Sequence, residues 1–159
     1  MRKNLFVSSL LVCVATLMGS QAAFASDNWV GTWKLNTAES KFASDDVTRA
    51  QTLKFESTPA GIKLTAEGTD PQGKAMTAEF TSKFDGKDVA WTGNTSADMA
   101  SPKRIDDNTY ENVWTMSGEQ TMTARVVVSN DSKTLTVTQT SPTDAHGDAA
   151  SSVAVYDRQ

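Results

Sequence analysis

The sequence predicts an all-β fold, an antiparallel up-and-down β-barrel of about 8–10 strands with at most one short helix after the first strand. Three observations carry that expectation. Apolar residues recur at every second position through most of the chain after Thr48. Short clusters of Gly, Pro, Asn and Asp separate the resulting stripes. The first strand opens as Trp29-Val30-Gly31-Thr32-Trp33-Lys34-Leu35, where a glycine lets the backbone bend beside aromatic side chains large enough to plug a barrel. A β-sandwich is the alternative, because a long meander has either to close on itself or to stack as two sheets.

Ahead of that strand lies a leader. Arg2 and Lys3 form a positive start, Leu5 to Met18 is an apolar run, and Ala23-Phe24-Ala25 is a small-x-small cleavage site. Residues 1–25 are therefore expected to be a cleaved signal peptide, and 26–159 a single barrel domain in the periplasm or secreted. The apolar run falls short of the roughly 20 residues that span a bilayer, and no other segment approaches it, so no membrane span is expected. The single cysteine, Cys13, follows Val12 inside the leader and reads as an ordinary member of the apolar run. The exported chain is then expected to use no disulfide, cysteine nucleophile or thiolate metal site. The whole chain carries 15 basic and 19 acidic residues, and the leader takes two of the basic ones with it. An acidic domain without basic clusters is a poor candidate for nucleic acid or anionic lipid, so no nucleic-acid partner is expected.

The strands follow in order. The first covers 31–36. Thr37 to Asp46 has room for one or two helical turns, with Asn36 or Thr37 as N-cap of Thr37-Ala38-Glu39-Ser40. Next, 48–56 sets Leu53 and Phe55 on one face, and 62–68 does the same with Ile62, Leu64 and Ala66. Segment 75–84 aligns Met76, Ala78, Phe80 and Phe84; 88–92 carries Val89 and Trp91; 101–105 is a short strand. Tyr110, Trp114 and Met116 stripe 109–116, and Met122, Ala124, Val126 and Val128 stripe 120–128. Leu135 and Val137 mark 134–140, and Val153 and Val155 mark 151–157. Successive strand side chains point to opposite faces, so each stripe is a buried face, while the many threonines suit the exposed one. Asp70-Pro71-Gln72-Gly73, Asp85-Gly86, Ser117-Gly118 and Ser129-Asn130-Asp131 supply turn chemistry between them.

Trp29-Val30-Gly31-Thr32-Trp33-Lys34-Leu35 resembles the opening of the calycins, the lipocalin and fatty-acid-binding-protein group, whose first barrel strand carries an aromatic residue and then Gly-x-Trp. With Lys41-Phe42 it is also similar to small exported bacterial proteins described as lipocalin-like, a group of unknown function. The resemblance implies a barrel in which Trp33 plugs the base and an arginine lies across it, Arg158 by position or, more weakly, Arg104. Ser117-Gly118-Glu119-Gln120-Thr121 through Arg125 is similar to the hairpin and strand that carry an interior arginine, which would make Arg125 that residue. The ending Val153-Ala154-Val155-Tyr156-Asp157-Arg158 resembles the last strand, where the group grips a fatty-acid carboxylate with Arg-x-Tyr. Tyr156 matches the tyrosine, and Ala154 stands where the arginine would be. About eleven residues join the first two strands, too few for the helical lid of fatty-acid-binding proteins at 1.5 Å rise per residue.

The function expected is the holding of a small hydrophobic ligand in the barrel, with Phe55, Leu64, Phe80, Trp91 and Trp114 among the walls and Met76, Met99, Met116 and Met122 as adaptable filling. The ligand-binding candidates are Tyr156, Arg125, Trp91, Trp114 and Asn112. Asn112 and Gln139 are polar residues on otherwise apolar stripes. For Arg125 the resemblance points inward and the alternation points outward, because Ala124 and Val126 hold the opposite face. No catalytic, cofactor-binding or metal-binding residue is expected. His146, the one histidine, sits in Asp144-Ala145-His146-Gly147-Asp148, a run that reads as a solvated loop without further ligands at fixed spacing. The alternative is a non-catalytic interaction module of the cell envelope with a filled barrel; the sequence specifies no protein partner.

Overall fold

The computed structural model describes residues 27–43, 49–70 and 72–159. The expected leader lies outside the described residues. Ten strands follow in chain order: β1 Gly31–Lys41, β2 Arg49–Thr58, β3 Gly61–Thr69, β4 Ala75–Ser82, β5 Val89–Ala90, β6 Met99–Arg104, β7 Thr109–Met116, β8 Glu119–Val128, β9 Thr134–Thr140 and β10 Ser151–Arg158. All neighbours are antiparallel and form one sheet in the order β4-β3-β2-β1-β10-β9-β8-β7-β6-β5. The sheet is a hairpin meander whose first and last strands pair in its middle. Its two outer strands meet through a bridge between Glu79 and Thr92, each backbone N–H donating to the other's carbonyl at 2.9 and 3.0 Å. Below that bridge the chain after β4 joins β6, with Arg104 N–H donating to Phe84 O and Gly86 N–H to Pro102 O, both at 2.9 Å. The result is a nearly closed all-β barrel, as the alternation predicts. Gly93 makes the seam possible: it holds φ +76°, and a Cβ there would sit 2.0 Å from the Thr77 carbonyl oxygen.

Period two fixes the inner face. Leu53, Phe55, Ile62, Leu64, Ala66, Ala78, Phe80, Tyr110, Ala124, Val126, Val128, Leu135 and Val137 are all buried. The last strand corrects the expected stripe. Ala154 and Tyr156 are buried, whereas Val153 and Val155 are only half-buried. Register decides this, since Tyr156 stands opposite Leu135 and Ala154 opposite Val137, and directly opposed residues share a face. Both faces of β10 carry apolar residues, so alternation alone did not choose.

The stretch after Leu35 is also corrected. Thr37–Lys41 continues β1, and no helix forms within the described residues. The pairing with β10 passes from Asn36↔Val155 to Lys41↔Val153, so extra β1 residues loop out of register. Ser40 takes over the ladder there: its hydroxyl donates to Asn36 O at 2.7 Å and accepts from Val155 N–H at 2.9 Å. Asn36 Oδ1 does accept from Glu39 N–H at 3.3 Å, the cap-like bond the sequence suggests, but it closes a bulge and not a helical turn.

One end of the barrel is plugged. Trp29 and Trp33 are fully buried, and Trp33 Nε1 donates to Trp29 O at 2.8 Å. Phe84 and Tyr110 meet edge to face at 4.9 Å, and Trp29 packs on both at 5.8 and 5.5 Å. The Arg158 guanidinium lies over the Trp33 ring at 4.2 Å and Arg104 over Trp29 at 5.3 Å. Arg158 also donates to three backbone carbonyls, from Nε to Ser132 (2.6 Å), from Nη1 to Val30 (3.0 Å) and from Nη2 to Asn28. It thereby ties the C-terminus to both the opening segment and the β8–β9 turn. Gly31 leaves the space: it holds φ +140°, and a Cβ there would lie 2.8 Å from Arg158 Nη1. This explains why glycine precedes Thr32-Trp33.

Arg158→Lys keeps the charge but loses the planar fork that reaches three acceptors. Urea denaturation is expected to show a loss of about 1–3 kcal/mol with an unchanged slope; a loss under about 0.5 kcal/mol, the range of ordinary surface changes, would show that the clamp is incidental.

Candidate functional site

Above the plug the interior stays unfilled. A cavity of about 650 Å³ runs between the sheet's inner faces toward the end where β1 meets β2, β5 meets β6 and β9 meets β10. Its depth is set by side-chain size. Leu53, Leu64, Tyr110 and Val126 line it toward the base, while Ala66, Ala78, Ala124 and Ala154 are too short to reach across the lumen. The far rim is small and polar, with Asn94, Thr95, Ser96, Ser141 and Ser152.

Four of the five ligand-binding candidates line this cavity: Trp91, Asn112, Trp114 and Tyr156. Trp91 and Trp114 face each other edge to face at 4.7 Å, and Phe80 meets Trp91 at 5.3 Å. The aromatic contacts thus continue from the plug into the wall. Tyr156 donates its hydroxyl to Ala50 O at 3.0 Å, linking β10 to β2 across β1. Trp91 Nε1, Trp114 Nε1 and Asn112 Oδ1 are buried and have no hydrogen-bond partner among the described residues. Of the expected walls, Leu64 lines the cavity, while Phe55 and Phe80 pack below it; Met76 and Met122 line it too.

Arg125 is corrected. It lies exposed on the outer face of β8, its guanidinium paired with Glu111 at 2.5 Å on neighbouring β7, and it does not line the cavity. The alternation of β8 prevails over the resemblance because a cation inside would have to be desolvated without a partner.

A second hollow, of about 490 Å³, lies at the plugged end between the β6–β7 turn and the end of β8. Its carboxylates have local partners, Asp107 pairing with the Arg104 guanidinium at 3.4 Å. Asp106 Oδ1 accepts from Asn108 N–H at 2.8 Å, which holds its carboxyl below the usual aspartate range. The loop around His146 is similar: Asp144 Oδ1 accepts from the backbone N–H groups of His146 and Asp148 at 2.8 and 3.0 Å. The Asp144 carboxylate is thus explained by local turn chemistry.

What sequence reasoning missed is the second member of the plug. Trp29 was readable as the aromatic opening of β1, yet its place beneath the lumen depends on Phe84 and Tyr110, which are remote in sequence. No protein-family model matches the chain, and no curated protein matches it.

Tyr110 and Tyr156 are the only tyrosines, and both are buried. Burial pushes both phenols well above their ordinary value. Their contribution to stability is full below the unfolded tyrosine value of about 10 and is lost as pH rises beyond it. Ultraviolet titration should therefore show no tyrosinate through that range, then both phenols ionising in one step with unfolding. A gradual rise near pH 10 in the folded protein would contradict their burial.

Proposed function

We propose that this chain is an exported, calycin-like binding protein that holds a small, mainly apolar molecule in the barrel lumen and performs no chemistry on it. The observation that carries the reading is the 650 Å³ cavity, lined mostly by apolar and aromatic side chains with a few polar ones. Its volume falls within the roughly 300–1,000 Å³ of small-molecule sites. The placement of Arg158 across Trp33 at the plugged base supports kinship with the calycins. The apolar leader supports export to the periplasm or medium. The interaction-module reading rests on a filled barrel, and the cavity supports the binding reading over it.

Trp91 and Trp114 make the test direct, because they stand on the cavity wall. Titration of the exported protein with fatty acids, retinoids and haem should give a saturable change in tryptophan fluorescence for at least one class. Ala124→Phe, which places a ring in the lumen, should weaken that binding by about tenfold or more while the far-ultraviolet β signature is retained. A flat response across the panel would overturn the proposal, and recovery of one stoichiometric protein from envelope extract would favour the interaction module in its place.

A further inference from the structure

The cavity wall carries no charge: among the described residues that line it there is no Asp, Glu, Lys, Arg or His. The two arginines that the resemblance offers to the barrel interior are otherwise engaged. Arg125 is outside and paired with Glu111, and Arg158 is committed to three backbone carbonyls and the Trp33 face beneath the lumen. Yet the wall is not inert. It contains two indole N–H donors and one amide oxygen that are buried and unpartnered, on Trp91, Trp114 and Asn112. Trp91 and Asn112 are 7% and 3% exposed, so bulk water does not serve them freely.

We propose that the ligand is an electrically neutral, largely apolar molecule carrying a carbonyl or ether oxygen, met by the Trp91 and Trp114 indoles, and that carboxylates are rejected. The inference rests on the reading that the lumen holds a ligand at all. A carboxylate transferred into such a wall would lose its hydration without gaining a cation, so it would bind only by first taking up a proton. The Arg-x-Tyr grip that would supply the cation is represented by Ala154 and Tyr156, and Ala154 lines the cavity without a polar atom on its side chain. A neutral oxygen, by contrast, accepts from an indole N–H at little desolvation cost and gives a partner to a donor that has none among the described residues. A hydroxyl or amide hydrogen on the same ligand would answer Asn112 Oδ1. The tyrosines add no charge, since burial keeps both phenols protonated. At the roughly 30 Å³ that a water molecule occupies in the liquid, the lumen takes a ligand on the order of 20 non-hydrogen atoms.

Three probes of about that size separate the terms: diphenylhexatriene, which has no oxygen, all-trans-retinal, which has a neutral carbonyl, and all-trans-retinoic acid, which is ionised near pH 8. The full chain is expressed with its leader, purified after export, and titrated by fluorescence with each probe. Retinal is expected to bind at least about tenfold more tightly than retinoate. Trp91→Phe and Trp114→Phe keep a ring but remove the donor; each should weaken retinal several-fold, toward the tenfold worth of one hydrogen bond, and leave diphenylhexatriene unchanged. Retinoate binding as tightly as retinal, or phenylalanine variants that weaken retinal and the hydrocarbon alike, would overturn the inference while leaving a ligand-binding lumen in place. Failure of all three probes to bind would instead overturn the binding reading itself, and the inference with it.

Discussion

The pairing of β1 with β10 is the constraint on which the rest of this structure depends. Every other strand contact in the described residues joins neighbours along the chain, through turns of a few residues or short loops, and forms cheaply. Only β1 and β10 must find each other from opposite ends of the domain, and that closure carries the largest loop entropy. The compensation is concentrated at one end. Trp33 is fully buried, its indole N–H is satisfied by Trp29 O, and Arg158 from β10 covers its face while bonding to Val30 and Asn28 on the β1 side. Gly31 suits this closure because its φ of +140° strains any residue with a side chain, and the guanidinium lies where a Cβ would be.

The plug and the lumen are opposite uses of the same inner face. Toward the base the inward positions carry Trp29, Phe55, Phe84 and Tyr110, whose rings meet across the barrel, and Trp33, whose indole N–H donates to Trp29 O. Toward the rim they carry alanines, and the walls cannot touch. The interior is therefore rigid where it must hold the strands together and vacant where a ligand would sit. Phe84 contributes to the rigid half at some cost, because it adopts a left-handed φ of 57° to turn its ring inward, steadied by Ser82 Oγ accepting its N–H at 3.0 Å. Two unpartnered indoles, those of Trp91 and Trp114, and the Asn112 oxygen lie in the vacant half, and a third, that of Trp29, lies in the plug.

Much of this was legible in the sequence. The turn residues and the alternation place the strands to within a few residues, because both signals are local: a Gly or Asn tolerates positive φ, and side chains on a strand alternate by geometry. The Trp33–Arg158 contact was legible only through resemblance, since nothing local links two residues at the ends of the domain. Four candidate site residues line one cavity because inward-facing polar or aromatic residues on barrel strands converge on one axis. Thr37–Lys41 went unread because its short polar residues suit a cap, a turn or a bulge equally, and the Val155 N–H that recruits Ser40 belongs to another strand.

By itself, then, the sequence determined the all-β class, the strand succession and which residues could face inward, since period-two patterning and turn conformations are properties of a few adjacent residues. Tertiary structure alone decided which face of β10 was buried, and that small side chains from different strands fall at one level to leave a lumen. Those outcomes depend on cross-strand register and on distances between segments far apart along the chain. No local pattern encodes them, because a one-residue shift of register would reverse every facing while leaving the pattern unchanged.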